Sequence, residues 1–214
     1  MDSVKIILIR HGESIGNANK LFLGHTDLDL SERGYRQAKY AADYLVHNQK
    51  IDAIYSSDLL RAFNTVKTYG DIVGLEVIPS KQFREVNVGA WEGMHVDDII
   101  AQYPKEFSDW VERFGTFKAV NGEAIMEAGK RFYDEVVRVS RINPGKTLLI
   151  GAHAAVIRAF WAIIAGVLPE NISAQLPYAT NASCSFLDYD GEKFIPGKYS
   201  YDEYIKESGD PIYF

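Results

Sequence analysis

Leu8-Ile9-Arg10-His11-Gly12-Glu13-Ser14 closes an apolar, β-rich run that begins at Val4. Such an unbroken run reads as a strand buried on both faces, the kind found inside a parallel sheet. An arginine and a histidine then stand where the strand ends and the chain must turn. In α/β folds, ligands bind at the carboxyl ends of strands. The pair therefore points to phosphate chemistry. A guanidinium grips oxyanions with a planar fork of donors, and an imidazole attacks phosphorus or shuttles a proton near neutral pH.

Working outward, strands and helices alternate. Ser31 is expected to cap a helix carrying Ala38, Ala41, Ala42 and Leu45 on one face. Ile51 to Tyr55 reads as a second strand. Asp58 is expected to cap a second helix, with Ala62, Val66, Tyr69 and Val73 inward. Leu75 to Ile78 forms a short third strand. Asp97 to Phe114 reads as one or two short helices broken near Pro104, with Gly115 as a stop. Glu123 to Ile142 forms a long helix, ended by Asn143-Pro144-Gly145. Thr147 to Ala152 is a central strand, followed by an apolar helix from Ala154 to Ala165 closed by Gly166. Ser183 to Tyr189 and Lys193 to Ile195 form a hairpin around Asp190-Gly191. The pattern predicts a three-layer α/β sandwich, with a mostly parallel central sheet and helices on both faces.

The totals narrow the class. At 214 residues, 47% of them hydrophobic, the chain suits one domain over 1–214 with a sizeable core. A net charge of −6 argues against a nucleic-acid partner. It leaves room for a local cationic pocket and a small phosphorylated metabolite. One cysteine, Cys184, permits no internal disulfide and no thiolate metal cluster. No basic leader precedes an apolar core, and no run approaches the ~20 residues of a membrane span. The expectation is a cytoplasmic protein with no membrane partner. Oligomeric state is left open, a homodimer included. Asn171-Ile172-Ser173 and Asn181-Ala182-Ser183 match the glycosylation pattern but carry no weight without a secretion signal.

Three strand ends collect chemistry. Arg10 and His11 follow the first strand. Ser56-Ser57 leads from the second into a helix whose first turn holds Arg61. His153 stands between the central strand and its helix. If these strands are parallel neighbours, two arginines and two histidines share one rim of the sheet, a setting for a dianion, and helix N-termini add positive potential there. Each residue alone is more simply a surface ion or a structural histidine; their coincidence is what argues for a site. His25, His47 and His95 have no comparable setting.

These motifs resemble the histidine phosphatase superfamily, the phosphoglycerate mutase-like proteins. Arg10-His11-Gly12-Glu13-Ser14 with Asn17 resembles its signature. Gly24-His25-Thr26-Asp27, then Leu30-Ser31-Glu32-Arg33-Gly34 and Gln37-Ala38, resembles the second block. Ser56-Ser57-Asp58-Leu59-Leu60-Arg61-Ala62 with Thr65 is similar to the third. Arg84-Glu85-Val86-Asn87-Val88-Gly89-Ala90-Trp91-Glu92-Gly93 is similar to the fourth. Leu149-Ile150-Gly151-Ala152-His153, with Val156-Ile157-Arg158-Ala159, resembles the last. The blocks run in family order from residue 6 to about residue 160.

The resemblance implies a phosphoglycerate mutase-like fold and assigns roles. His11 is the implied nucleophile. Arg10, Arg61 and His153 hold the phosphoryl oxygens, with Asn17 and the backbone near Gly24 lining the same pocket. Glu85 is the implied proton donor, and its neighbours Phe83, Val86, Val88 and Trp91 suggest an apolar setting. No metal and no cofactor are implied, except bisphosphoglycerate if the chain were a mutase. The short stretch between Glu85 and His153, and a tail rich in aromatic rather than basic residues (Tyr199, Tyr201, Tyr204, Ile205, Tyr213, Phe214), favour the phosphatase branch. Two departures stand out. Ala154 and Ala155 follow His153 where the family carries glycine, and Asn121-Gly122-Glu123-Ala124 matches its Gly-Gly-Glu-Ser block only in part, so Glu123 is given no catalytic role.

Rival readings are a phosphoglycerate mutase, a non-catalytic phosphate binder, a serine hydrolase and a metallohydrolase. Gly12-Glu13-Ser14-Ile15-Gly16 fits the nucleophile elbow, yet that elbow leaves Arg10 and His11 unexplained. For the metallohydrolase, His11, Glu13, His25 and Asp27 offer ligands, but no helical histidine pair. Residues 94–122, with Tyr103, Phe107, Trp110 and Phe114, form either a lid over the pocket or a packed amphipathic cap. Substrate specificity is expected from this segment and the tail.

Overall fold

The structure is a computed structural model and describes residues 2–206. Strand β1 (Val4–Arg10) leads through the short helix α1 (Ile15–Ala18) and α2 (Glu32–Asn48) to β2 (Ala53–Ser56). Helix α3 (Leu60–Val73) joins β2 to β3 (Val77–Pro79). Two short helices follow, α4 (Val96–Gln102) and α5 (Pro104–Glu112). Helix α6 (Ile125–Arg141) leads to β4 (Thr147–Ala152), and α7 (Ala154–Ala165) leaves it. The described residues end with α8 (Ile172–Gln175), β5 (Cys184–Tyr189), β6 (Phe194–Pro196) and α9 (Glu203–Lys206).

The sheet order is β3-β2-β4-β1-β5-β6. Strands β3, β2, β4 and β1 pair in parallel, and β5 runs antiparallel to both its neighbours. The alternation within β1 divides the core. Val4, Ile6 and Leu8 join Phe132, Val136 and Phe160 from α6 and α7 on one face. Ile7 and Ile9 join Ala41, Leu45 and Val66 from α2 and α3 on the other. Each buried Val, Leu, Ile or Phe among them contributes about 1.5–3 kcal/mol. The expected α/β sandwich is therefore observed, with a mixed sheet that is mostly parallel.

Chain direction now places the site. The helices following β1 and those following β4 depart to opposite faces, although the two strands are adjacent, with Arg10 paired to Ala152. That divergence opens a crevice at the carboxyl ends of β1 and β4, where open α/β sheets bind ligands. His11 and His153 are the first residues beyond those ends.

Some local expectations are corrected. Asp58 does not cap α3; Leu59 occupies the cap position without a side-chain bond, and Asp58 instead binds Arg84 through two bonds of 2.6 and 2.7 Å. Asp27 supplies the missing acceptor from a distant turn, taking the Leu60 N–H at 2.8 Å. Val73, the last residue of α3, is 39% exposed rather than inward, since the buried face of the helix ends at Tyr69 and Gly70. Helix α6 starts at Ile125, since Glu123 is held back by Arg131. The third strand is Val77–Pro79.

Candidate active site

Arg10 ends β1 with its guanidinium buried and one Nη donating to Ala179 O at 2.5 Å. Its Nε has no partner among the described residues. Burial lowers its pKa to about 10, against an opposing pull from Glu85. His11 donates Nδ1–H to Gly12 O at 2.6 Å. A carbonyl can only accept, so the Nε2 lone pair is left free. Burial first, then Arg61 and Arg10, hold this ring well below the usual histidine pKa, and it is neutral. The His11 carbonyl in turn accepts from Ala182 N and Asn181 Nδ2, both at 3.1 Å.

The loop after His11 is fixed by contact with α2. A Cβ on Gly34 would overlap Glu13 O, and one on Gly12 would overlap Gly34 O. Only glycines allow the two backbones to approach this closely. Ser14 caps α1 and Asn17 returns the bond, its Oδ1 accepting from Ser14 N at 3.1 Å. That leaves the Asn17 Nδ2 donors for a ligand.

Arg61 lies in the first turn of α3, 1% exposed, and donates to Gly24 O at 2.7 Å and Thr26 O at 2.9 Å. Burial lowers its pKa to about 10, with Glu85 opposing. Glu92 holds the turn that supplies those carbonyls, accepting from His25 N and Thr26 N at 2.8 Å each. Gly24 itself has φ +46°, and a side chain there would strike Glu92.

His153 is fully buried, with its ring centroid 5.2 Å from that of His11. Neither ring nitrogen has a hydrogen-bond partner among the described residues. Burial, then Arg61, His11, His25 and Arg10, hold its pKa well below the ordinary value. An imidazolium is therefore not its state in the free site.

The carboxyl oxygens of Glu85 are met by backbone amides, a contact its apolar neighbours in sequence do not suggest. Its Oε1 accepts from Val86 N and Val156 N at 2.9 Å, and its Oε2 accepts from Ala155 N at 3.0 Å. The carboxyl group thus sits on the N-terminus of α7 and takes two of its free N–H groups. Its backbone carbonyl is held by His25 Nε2 at 2.9 Å and Arg131 at 3.2 Å, and Arg131 is fixed by Glu123. His25 therefore does adjoin the site, through a backbone contact that periodicity does not show.

Arg10, His11, Asn17, Gly24, Arg61 and Glu85 line one cavity of about 320 Å³, with His153 behind His11. Ala154 and Ala155 also line it, and neither has positive φ, so the helix start there does not require glycine. Sequence reasoning gave no role to Glu92, Ala179, Asn181 or Tyr178. Asn181, in one of the glycosylation-like triplets, is 2% exposed. The tail as far as Lys206 does not reach the cavity: Tyr204 stacks on Tyr44 of α2 at 4.8 Å. Tyr213 and Phe214 lie outside the described residues. No group of three or more His, Cys, Asp or Glu side chains among the described residues is arranged to hold a metal ion. No described helix is long and apolar enough to cross a membrane.

The family model described as histidine phosphatase superfamily (branch 1) matches residues 6–200. Phosphoserine phosphatase 1 of Hydrogenobacter thermophilus is 34% identical over 164 residues, 77% of this chain and 77% of that protein. A probable phosphoglycerate mutase of Yersinia pestis (strain Pestoides F) is 30% identical over 186 residues, 87% of this chain and 85% of that protein. A solved mycobacterial glucosyl-3-phosphoglycerate phosphatase, complexed with VO3, superposes with a TM-score of 0.85 at 28% identity, covering 92% of this chain and 98% of that one.

Proposed function

The chain belongs to the histidine phosphatase superfamily, and from that premise we propose that it hydrolyses small phosphomonoesters through a phosphohistidine on His11. One observation carries the reading: a neutral His11, its Nδ1 committed to Gly12 O, shares a cavity with two buried guanidinium groups and a carboxylate. Phosphoryl transfer needs positioning and charge stabilisation more than covalent help, and Arg10, Arg61 and Asn17 supply both.

In the first step His11 Nε2 forms a bond to phosphorus as the bond to the leaving oxygen breaks. Glu85 passes a proton to that oxygen. Its Oε2 takes one amide against two on Oε1, so Oε2 has the free position for the proton. In the second step water attacks phosphorus, Glu85 takes the water's proton, and the His11–phosphorus bond breaks. His153 donates to a phosphoryl oxygen, which gives its otherwise orphaned ring a partner. Residues 94–122 serve as a cover, since Trp110 of α5 lines the cavity. All of 1–214 works as one domain, without metal or cofactor. A cytoplasmic setting suits the buried free Cys184.

Rapid-quench trapping with a 32P-labelled ester tests the assignment. An acid-labile, base-stable phosphoenzyme is expected in the wild type, with turnover lost by at least 10³-fold in His11→Ala. Labelling that persists in His11→Ala would overturn it. Product that remains phosphorylated on the carbon skeleton, and depends on bisphosphoglycerate, would show a mutase instead.

A further inference from the structure

The cavity is charged at one end only. Arg10 and Arg61 face Glu85 there, and among the described residues no other Lys, Arg, Asp or Glu lines it. Beyond the uncharged polar His11 and Asn17, the lining is mostly apolar or aromatic, with Leu21, Phe22, Val88, Ala155, Trp110 and Tyr178 among it. Trp110 forms the centre of that wall. It meets Phe22 edge-on at 5.4 Å and lies nearly parallel to Tyr178, with centroids 6.4 Å apart. A neighbouring cavity that shares Asn17, Leu21 and Phe22 holds Lys20 and Arg33, but Glu13 and Asp97 line it too and Arg33 is paired with Glu13; a further guanidinium, Arg158, is on the far side of the aromatic wall. It lies over the Tyr178 ring at 4.2 Å and donates to Leu176 O at 2.7 Å.

Charge balance then selects the substrate. A phosphomonoester dianion matches the two guanidinium charges. A leaving group with a carboxylate would bring a third negative charge into a cavity whose lining offers only those two cations. An ammonium would find only Glu85, which accepts from three amides and holds the proton for the leaving oxygen. Burying either ion unpaired is strongly unfavourable, whereas an apolar ring gains by leaving water and by packing on aromatic edges. At about 320 Å³ the cavity is at the small end of ligand pockets.

We propose that the preferred substrate is the phosphate monoester of a small, uncharged alcohol bearing one apolar ring, which Trp110 and Tyr178 receive; this rests on the phosphohistidine reading above. Discrimination of this kind comes from charges left unpaired in the wrong complex.

The test compares kcat/KM for 2-phenylethyl phosphate, O-phosphoserine, 3-phosphoglycerate and methyl phosphate, all esters of aliphatic alcohols. 2-Phenylethyl phosphate is expected to lead both carboxylate esters by at least ~30-fold. Trp110→Ala should lower kcat/KM for 2-phenylethyl phosphate by ~10-fold, mostly through KM, with a clearly smaller loss on methyl phosphate. Leu21→Lys, which places a cation on the wall without removing the ring stack, should raise 3-phosphoglycerate turnover relative to 2-phenylethyl phosphate by ~10-fold. Turnover of all four esters with a carboxylate ester ahead overturns this proposal and leaves the phosphatase reading standing. No turnover of any ester, and no phosphoenzyme, brings down both.

Discussion

His153 sits with both ring nitrogens buried and unmatched among the described residues, and His11 beside it is likewise held neutral. Both folded-state pKa values lie below the unfolded value of about 6.5. As pH falls through 6.5 the unfolded chain takes up protons that the folded chain refuses, so the ligand-free protein loses stability on acidification. The expected loss is about 1 kcal/mol per histidine between pH 7 and pH 5.5. Urea unfolding in phosphate-free buffer checks this: His153→Gln should remove about half of the extra pH dependence, and an unchanged slope would refute the assignment. At this scale the sequence is informative where chemistry is local. Arg10 and His11 are adjacent, and Arg61 and His153 are marked by the strand ends that precede them. It is silent where a partner arrives from afar. Glu92 acts on a turn 67 positions earlier, Ala179 meets Arg10 across 169 positions, and neither a periodicity nor a spacing records such pairs. Nor does it reveal that three backbone amides hold the carboxyl oxygens of Glu85.

Helix α3 carries Arg61 in its first turn, so the way that turn is capped bears directly on the site. Asp58 has the side chain and position of a local cap, and reading it as one follows the usual preference. The structure diverts it because Arg84 offers a bidentate, charge-assisted pair, which lowers the Asp58 pKa through the Arg84 hydrogen bonds. Asp27 then caps α3 in trans at Leu60 N, next to Thr26, whose carbonyl takes Arg61. Asp27→Ala is expected to cost about 1 kcal/mol, the usual loss for a cap, and to raise KM for phosphomonoesters more than it lowers kcat, since Arg61 loses a fixed carbonyl. Unaltered stability and kinetics would place the cap elsewhere. The other elements were legible because their burial follows their period. Helix α2 buries Ala38, Ala41, Ala42 and Leu45, α7 ends at Gly166 with φ +68°, and Asp190 accepts from Glu192 N and Lys193 N to close the β5–β6 turn.

On the scale of the whole molecule, the question is whether residues 94–122, the cover proposed above, fold as a separate unit. The segment 94–122 has its own aromatic cluster, in which Trp110 and Phe114 pack near Trp91 and Phe117. That cluster is not closed, however. It includes Ala155, Ala159 and Ala162 of α7, whose opposite face presents Val156, Phe160 and Trp161 to the core over β1 and β4. One helix thus belongs to both cores, and it begins at the Glu85 carboxylate. Strand β1 adds a second tie, since it pairs with residues 147–152 on one edge and 184–189 on the other. Unfolding the cover would strip one face of α7, and unfolding the sheet would remove the support for the cover. A single cooperative transition is therefore expected, although the chain is longer than the ~150 residues for which two-state behaviour is usual. The three tryptophans make this testable, because Trp110 of the cover and Trp91 packed against it report that cluster and Trp161 reports the sheet core. In urea, fluorescence of a Trp161→Phe variant and far-UV circular dichroism should give coincident midpoints and equal m-values. A fluorescence transition at clearly lower urea than the dichroism would mean that the cover melts first and that α7 does not couple the two cores.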